Sequence, residues 1–311
     1  MMTRRNFLPS LVALAAIREA GEAKASPQAT PQPTTQTNPQ TDGNKSVPPA
    51  FLEKPKFGRI KQSVCSSVFG RGMAFDEQCR LAADLGFQGY DLRTPEQWPT
   101  LKKYGLLSTM TIGGGGTLPV ALNHKENQPA IEKAMRDMLD LCAAANSPSL
   151  ITFSGNRLGI SDEEGVDNCV QFLNRVKAQA EDKDVNICME LLNSRVDHKD
   201  YQCDHVDWGV EVCKRVNSPR VKLLFDIYHM QIMDGDIVRR IRQNIQWIGH
   251  FHTGGVPGRH EIDETQELNY HFVAQAIADL GYQGFVAHEY SPAAGRDPLA
   301  SLKQARDIWT V

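Results

Sequence analysis

The chain has 311 residues, of which 41% are hydrophobic, so it can bury a full core in one large domain or in two smaller ones. Its formal net charge is −3, which argues against a basic surface for nucleic acid or for an anionic membrane. No apolar run approaches the roughly 20 residues that a membrane span needs. We therefore expect neither nucleic acid nor a membrane as a partner.

The first 25 residues have the features of a twin-arginine export signal. The pair Arg4-Arg5 is followed by a short apolar run over residues 11–17, and the AKA triplet at residues 23–25 matches a small-x-small cleavage site. We therefore predict a signal peptide over residues 1–25 and a periplasmic location. The alternative is the ordinary basic N-terminus of a cytoplasmic protein.

Residues 26–50 are rich in Pro, Gln, Thr and Asn and hold almost no apolar side chain before Val47. Such a segment buries too little surface to offset its ordering entropy, so we predict a disordered linker. The folded domain is then predicted over residues 51–311, a length close to the roughly 250 residues of one (β/α)8 barrel.

The chain contains 7 cysteines, an odd number, and no CxxC pair. This pattern indicates neither a disulfide framework nor a zinc ribbon. Most of the cysteines lie in apolar contexts, and we predict that they are buried free thiols.

A short apolar strand followed by a helical segment recurs along the chain. The predicted strands cover residues 62–69, 89–93, 107–112, 150–154, 186–192, 222–227, 247–252 and 285–289. The predicted helices cover residues 75–85, 97–104, 128–145, 165–182, 206–216, 237–244, 270–280 and 299–309. Eight strands that alternate with eight helices indicate an α/β fold with parallel strands, and the length favours a single closed TIM barrel.

Carboxylates and imidazoles lie at the ends of the last four predicted strands. An ionised carboxylate within a barrel strand is costly unless it is paired or binds a metal, and the carboxyl ends of the strands form the active-site face of a barrel. Two Glu, one Asp and one His from four adjacent strands would make an oxygen-rich site for Mn²⁺, Mg²⁺ or Co²⁺, without the thiolates typical of zinc. The candidates are Glu190, Asp226 with His229 one turn further on, His250 with His252, and Glu289.

Each of these residues alone also has a structural explanation. Glu190 could pair with Arg195, and Asp226 could cap the next helical turn. His250 or His252 could be a hydrogen-bonded core histidine. The joint pattern at four adjacent strand ends is much harder to explain by structure alone.

From about residue 60 to residue 290, the chain resembles the xylose isomerase-like TIM barrels, and most closely the hydroxypyruvate isomerase group. The second half of the predicted barrel carries the specific motifs, whereas the first half matches mainly in architecture. The motifs are ELLNSRVD at 190–197, DIYHMQIMDG at 226–235, GHFH at 249–252, VPGRHE at 256–261, ELN at 267–269, and GYQGFV at 281–286 with Glu289-Tyr290 beyond it.

The resemblance implies specific roles for the candidate residues. It implies that Glu190 and Glu289 face each other across the substrate as the proton-transferring pair, and that His229 and Arg259 contact substrate oxygens, with Arg195 as a further candidate. Hydroxypyruvate isomerases usually have Gln at the third ligand position, whereas a His there is usual in the related keto-sugar epimerases. The implied ligands of one divalent metal ion are Glu190, Asp226, His252 and Glu289.

We therefore expect a metal-dependent isomerase that acts on hydroxypyruvate or a related small hydroxy-keto compound through a cis-enediolate. The alternatives are a keto-sugar 3-epimerase and a lyase that dehydrates keto-inositols or dehydroshikimate. An endonuclease IV-type hydrolase would need a three-metal cluster and a basic face, and a sugar-binding protein would not need both proton-transferring carboxylates. The resemblance also leaves open a homo-oligomer, because family members commonly form dimers or tetramers.

Overall fold

The computed structural model describes residues 58–311. The predicted export signal over residues 1–25 and the predicted linker over residues 26–50 lie outside these residues. The strands all pair in parallel with their neighbours in chain order, and β1 pairs with β8 to close the barrel, which confirms the predicted TIM barrel. The strands are β1 Lys61–Val64, β2 Gly89–Arg93, β3 Leu107–Thr111, β4 Ser149–Thr152, β5 Asn186–Leu191, β6 Val221–Asp226, β7 Ile248–Thr253 and β8 Phe285–His288.

Nine α-helices lie within residues 58–311. Local sequence explains their ends: α4, for example, begins after Ser161, whose hydroxyl accepts a hydrogen bond from the Glu164 backbone N–H at 3.1 Å. None of the helices within this part of the chain has the length and apolar character that crossing a membrane requires. The helices are α1 Phe75–Asp84, α2 Trp98–Lys103, α3 Gln128–Ala145, α4 Asp162–Asp182, α5 Val206–Val216, α6 Ile227–Met233, α7 Ile237–Asn244, α8 Tyr270–Asp279 and α9 Pro298–Ile308.

The structure differs from the prediction in the length of one strand and in one additional helix. The first strand was predicted to run to Phe69, but it ends at Val64 and is followed by a 3-10 helix over Ser66–Phe69. The helix α6 was not predicted, because its seven residues continue the apolar run of β6. Asp226 ends the strand and caps this helix, since its carboxylate accepts a hydrogen bond from the His229 backbone N–H at 3.1 Å.

The interior of the barrel is divided into an apolar part and a polar part. Met110, Ile151, Cys188 and Leu224 form a small buried apolar cluster inside the strands. Side chains on alternate residues point inward, and a second set of inward positions is polar and connects to the C-terminal ends of the strands. The larger core lies between strands and helices, and all seven cysteines are buried free thiols, as predicted.

Candidate active site

The structure brings the four predicted metal ligands together at the C-terminal ends of β5 to β8. One potential ligand atom from each residue lies within 4.8 Å of the corresponding atoms of the other three. The pairing of Asp226 with His252 in adjacent strands fixes two of them side by side. The other two are Glu190, near the end of β5, and Glu289, which directly follows β8.

A buried nitrogen of His252 lies at the centre of this cluster. Its Nδ1 is 2.7 Å from an oxygen of Glu289, 3.4 Å from one of Glu190 and 4.0 Å from one of Asp226. Even so, this atom makes no hydrogen bond with any of the described residues. A buried polar atom without a partner is costly, and a bound cation would accept its lone pair. The donor set therefore fits a divalent metal ion.

The other nitrogen of His252 contacts a buried aspartate that sequence reasoning missed. Nε2 lies 3.0 Å from an Asp91 carboxylate oxygen, and His250 Nε2 lies 2.6 Å from the same oxygen. The second oxygen of Asp91 accepts hydrogen bonds from the Ser63 hydroxyl at 2.7 Å and from the Thr109 hydroxyl. Asp91 is a carboxylate within a buried strand. The argument applied to Glu190, that an ionised carboxylate in a barrel strand must be paired or bind a metal, could therefore have identified it. His250 therefore contacts Asp91 rather than the metal-ligand cluster.

Arg259 extends into the cluster from the loop after β7. Its Nη2 is 2.6 Å from an oxygen of Asp226 and 2.6 Å from one of Glu289, and its Nε donates to the Glu289 backbone carbonyl at 3.0 Å. Arg259 thus pairs with two of the three carboxylates of the cluster. When all three are ionised and His252 is neutral, negative charge exceeds the one positive charge of Arg259, which favours a further cation at this place.

His229 lies beside Arg259 and is almost completely buried. The side-chain oxygen of Asn193 accepts two backbone N–H groups, so its amide nitrogen is the group 2.6 Å from His229 Nδ1. Nδ1 must then accept this hydrogen bond, and the proton of the neutral ring lies on Nε2. Burial lowers the pKa of His229 to about 4, so the ring is neutral at neutral pH. Nε2 contacts Arg259 Nη1. Both nitrogens carry protons and neither can accept from the other, so a substrate oxygen placed between them could accept from both.

The environments of the two glutamates separate their pKa values. Burial, together with the nearby Glu289 carboxylate, raises the pKa of Glu190 to about 7. Burial also acts on Glu289, but Arg259 and His252 outweigh it and lower the pKa of Glu289 to about 2. In a pair of carboxyl groups with separated pKa values, the group with the higher pKa can donate a proton while the group with the lower pKa accepts one.

A cavity of about 370 Å³ opens above this cluster. Its size is that of a site for a small molecule. One side is apolar, with Leu92, Ile112 and Phe153, and the other side exposes the polar groups of Glu190, His229, Arg259 and Glu289.

Arg195, a predicted substrate contact, lies neither in the metal-ligand cluster nor at this cavity. Its side chain is exposed, and its Nη1 donates to the Ile232 backbone carbonyl at 2.8 Å. Arg195 lies in the same ELLNSRVD motif as Glu190, but the chain leaves the barrel after β5 and turns its side chain to the surface.

Comparison with known proteins gives the same architecture and a set of related enzymes. Residues 79–309 match the family described as xylose isomerase-like TIM barrel. A 2-oxo-tetronate isomerase from Cupriavidus necator is 40% identical over 111 residues, which are 36% of this chain and 42% of that protein. A putative hydroxypyruvate isomerase from Danio rerio is 36% identical over 121 residues, which are 39% of this chain and 43% of that protein. The matched stretches therefore span less than half the length of these relatives.

A solved structure matches over most of the barrel. The crystal structure of an AP endonuclease of family 2 from Brucella melitensis has a TM-score of 0.66 and 26% sequence identity, and the match covers 77% of this chain and 96% of that one. The family match covers more than half of the chain and includes all four strand ends of the cluster. The chain belongs to the xylose isomerase-like TIM barrel family.

Proposed function

We propose that this protein is a metal-dependent isomerase that interconverts a small hydroxy-keto acid with its carbonyl isomer. The substrate class is that of hydroxypyruvate and 2-oxo-tetronate, the compounds named for the related isomerases. One observation carries the proposal. The carboxylates of Glu190 and Glu289 both lie within 3.4 Å of the same buried nitrogen of His252. Both also line a cavity whose size suits a small molecule.

The proposed cofactor is one divalent ion, with Mn²⁺ and Mg²⁺ favoured by the carboxylate ligands and Co²⁺ also suitable. Glu190, Asp226, His252 and Glu289 would hold it. A bound divalent ion supplies a Lewis acid that stabilises negative charge on the carbonyl and hydroxyl oxygens of a substrate.

The isomerisation requires a proton to leave the carbon that bears the hydroxyl and to return on the neighbouring carbon, while the hydroxyl proton moves to the former carbonyl oxygen. One of Glu190 and Glu289 removes the proton, which gives a cis-enediolate, and the other, or the same one, returns it. Proton transfer by a positioned carboxylate contributes roughly 10²–10⁴-fold in rate.

His229 and Arg259 would orient the substrate. The Nε2–H of neutral His229 and the guanidinium of Arg259 are adjacent donors, so both can donate to one substrate oxygen. A charged donor also stabilises the enediolate oxygens as negative charge develops on them.

The second candidate function is a keto-sugar 3-epimerase, and His252 favours it. A histidine at the third ligand position is usual in that group, whereas the hydroxypyruvate isomerases usually carry Gln. The same enediolate chemistry would then return the proton to the opposite face of the same carbon.

A substrate assay with the full-length protein tests both candidates. The protein is loaded with Mn²⁺ and given hydroxypyruvate or 2-oxo-tetronate, and the isomeric products are followed by NMR spectroscopy. In parallel, ketoses are incubated in D₂O and their C3 protons are followed. The proposal predicts isomer formation from a hydroxy-keto acid. Exchange at C3 of a ketose without such isomer formation would replace it with the epimerase, and the absence of both would overturn it.

A further inference from the structure

The thiol of Cys65 lies at the edge of the metal-ligand cluster. Cys65 directly follows β1, and its backbone N–H donates to the His288 carbonyl at 3.0 Å, which fixes it next to the start of the loop that carries Glu289. Ser63, two residues earlier, points into the barrel and contacts Asp91. Side chains alternate along a strand, so Cys65 points to the same interior, one layer nearer the cavity. Its side chain is buried.

The separation of the atoms suits a shared ion. The Cys65 sulfur, a His252 ring nitrogen and a Glu289 carboxylate oxygen all lie within 4.8 Å of one another. A nitrogen and a sulfur bound to one tetrahedral zinc ion are about 3.6 Å apart. A movement of roughly 1 Å at most would therefore bring the thiol to an ion held by His252 and Glu289.

A second observation points to a ligand at this place. His252 belongs to three groups of potential ligand atoms: the one with Cys65, the one with Glu190 and Asp226, and the one with Asp91 and His250. Its Nδ1 is fully buried and has no hydrogen-bond partner among residues 58–311. None of the other six cysteines, all of which lie in that range, belongs to such a group. Cys188, for example, points into the barrel from β5 but lies in the apolar cluster with Met110 and Leu224.

We propose that Cys65 is a further ligand of this centre, and that its thiolate raises the affinity of the centre for Zn²⁺ and Co²⁺ much more than its affinity for Mn²⁺ or Mg²⁺. A thiolate is a soft ligand, which Zn²⁺ and Co²⁺ use and the hard ions do not. When Cys65 binds, its S–H bond breaks, a sulfur–metal bond forms, and the proton passes to solvent without any change in oxidation state. The inference rests on the metal site of the proposed function and deepens it.

Titration with Co²⁺ tests the assignment, because a thiolate ligand gives a sulfur-to-cobalt charge-transfer absorption that oxygen and nitrogen ligands do not give. The full-length protein is compared with Cys65→Ser and with Cys188→Ala, a matched loss of a buried thiol in the same barrel. The expected result is a charge-transfer band in the wild type and in Cys188→Ala that Cys65→Ser lacks. The visible cobalt bands are expected in all three proteins.

Affinities measured on the same proteins provide a second readout. Cys65→Ser is expected to lower the affinity for Zn²⁺ by at least roughly 10–100-fold, because removing even a hydrogen-bond partner of a metal ligand lowers metal affinity by that much. The affinity for Mn²⁺ is expected to stay nearly unchanged. Bound Co²⁺ without a charge-transfer band in the wild type, or an unchanged band in Cys65→Ser, would overturn the role of Cys65 and leave the metal site intact. The absence of any bound Co²⁺ would overturn the metal site, and the role of Cys65 with it.

Discussion

His252 Nε2 lies 3.0 Å from a carboxylate oxygen of Asp91, while Nδ1 of the same ring lies among the carboxylates of the metal-ligand cluster. The ring therefore connects a buried polar network to the candidate active site. An ionised carboxylate can only accept, so the proton of a neutral His252 ring lies on Nε2, and the lone pair of Nδ1 is directed to the cluster. Carboxylate partners of this kind fix the orientation and the tautomer of metal-binding histidines.

Replacing Asp91 with Asn should weaken metal binding. The amide has nearly the same shape, but it can donate as well as accept, so it no longer fixes the proton on Nε2. We expect the affinity for Mn²⁺ to fall by roughly 10–100-fold, measured by equilibrium dialysis.

Asp204→Asn is the matched control for this change. Asp204 is also a buried aspartate, but it pairs with Arg157 at 2.9 Å and is not a member of the metal-ligand cluster. Its loss should lower the free energy of unfolding and leave metal affinity unchanged. If Asp91→Asn binds Mn²⁺ as the wild type does, Asp91 has only a structural role.

The two arginines singled out from the sequence should behave differently. Arg259→Lys removes the planar fork that contacts Asp226 and Glu289. A hydrogen bond to a charged group contributes roughly 1.5–3 kcal/mol, so kcat/KM should fall roughly tenfold to a hundredfold. Arg195→Ala should leave kcat/KM unchanged, because that side chain is exposed and contacts a backbone carbonyl. A comparable loss in both variants would contradict the assignment of Arg259 to substrate and carboxylate contacts.

Metal affinity should depend on pH with a change of slope near neutrality. Burial raises the pKa of Glu190 to about 7, so below that pH the metal-free protein carries a proton that must leave when an ion binds. Burial lowers the pKa of His252, but the Glu289 and Asp91 carboxylates outweigh it and hold this pKa well above its usual value, so a proton competes with an ion for the lone pair of Nδ1.

The sign follows from these protons. Affinity for Mn²⁺ should fall as pH decreases, by about tenfold per pH unit for each proton that must leave. One more proton leaves below about pH 7 than above it, because Glu190 is then protonated in the metal-free protein, so the decline should steepen there. Isothermal titration in buffers of different ionisation enthalpy counts these protons. The range from about pH 6 to about pH 8 brackets the pKa of Glu190. A Mn²⁺ affinity that does not change over this range would contradict the proposed ligands.

The sequence predicted the barrel well, because its strands are apolar runs with a regular alternation of helices between them. It missed α6 because Ile227–Met233 is as apolar as the strand before it, and only the cap at Asp226 marks the change. Apolar residues likewise suggested a strand up to Phe69, where the backbone forms a 3-10 helix.

The site was predicted from strand ends that are neighbours along the chain, and its remaining members come from the closure of the barrel. Asp91 and His250 are 159 residues apart, and no local spacing connects them. Cys65 meets Glu289 only because β1 pairs with β8. Such contacts depend on the three-dimensional register of the strands, which one sequence does not give.

The export signal leads to a separate prediction. If residues 1–25 are a twin-arginine signal, expression of the full-length chain in a bacterium should yield a periplasmic protein that begins near Ser26. Mass spectrometry of the two cell fractions measures this, and replacing Arg4 and Arg5 with Lys should keep the protein in the cytoplasm. An unprocessed protein in the cytoplasm in both cases would contradict export.

The central claim is that Glu190 and Glu289 carry the proton between two carbons of the substrate. The most direct measurement is the turnover rate of hydroxypyruvate or 2-oxo-tetronate by Mn²⁺-loaded Glu289→Gln, with the metal content of the same sample determined. Glu261→Gln is the matched control, because Glu261 is also buried but accepts a hydrogen bond from the Ala293 backbone N–H instead. The account predicts a rate lower by roughly 10²–10⁴-fold in metal-loaded Glu289→Gln and a nearly unchanged rate in the control. A metal-loaded Glu289→Gln that turns over at the wild-type rate would contradict it.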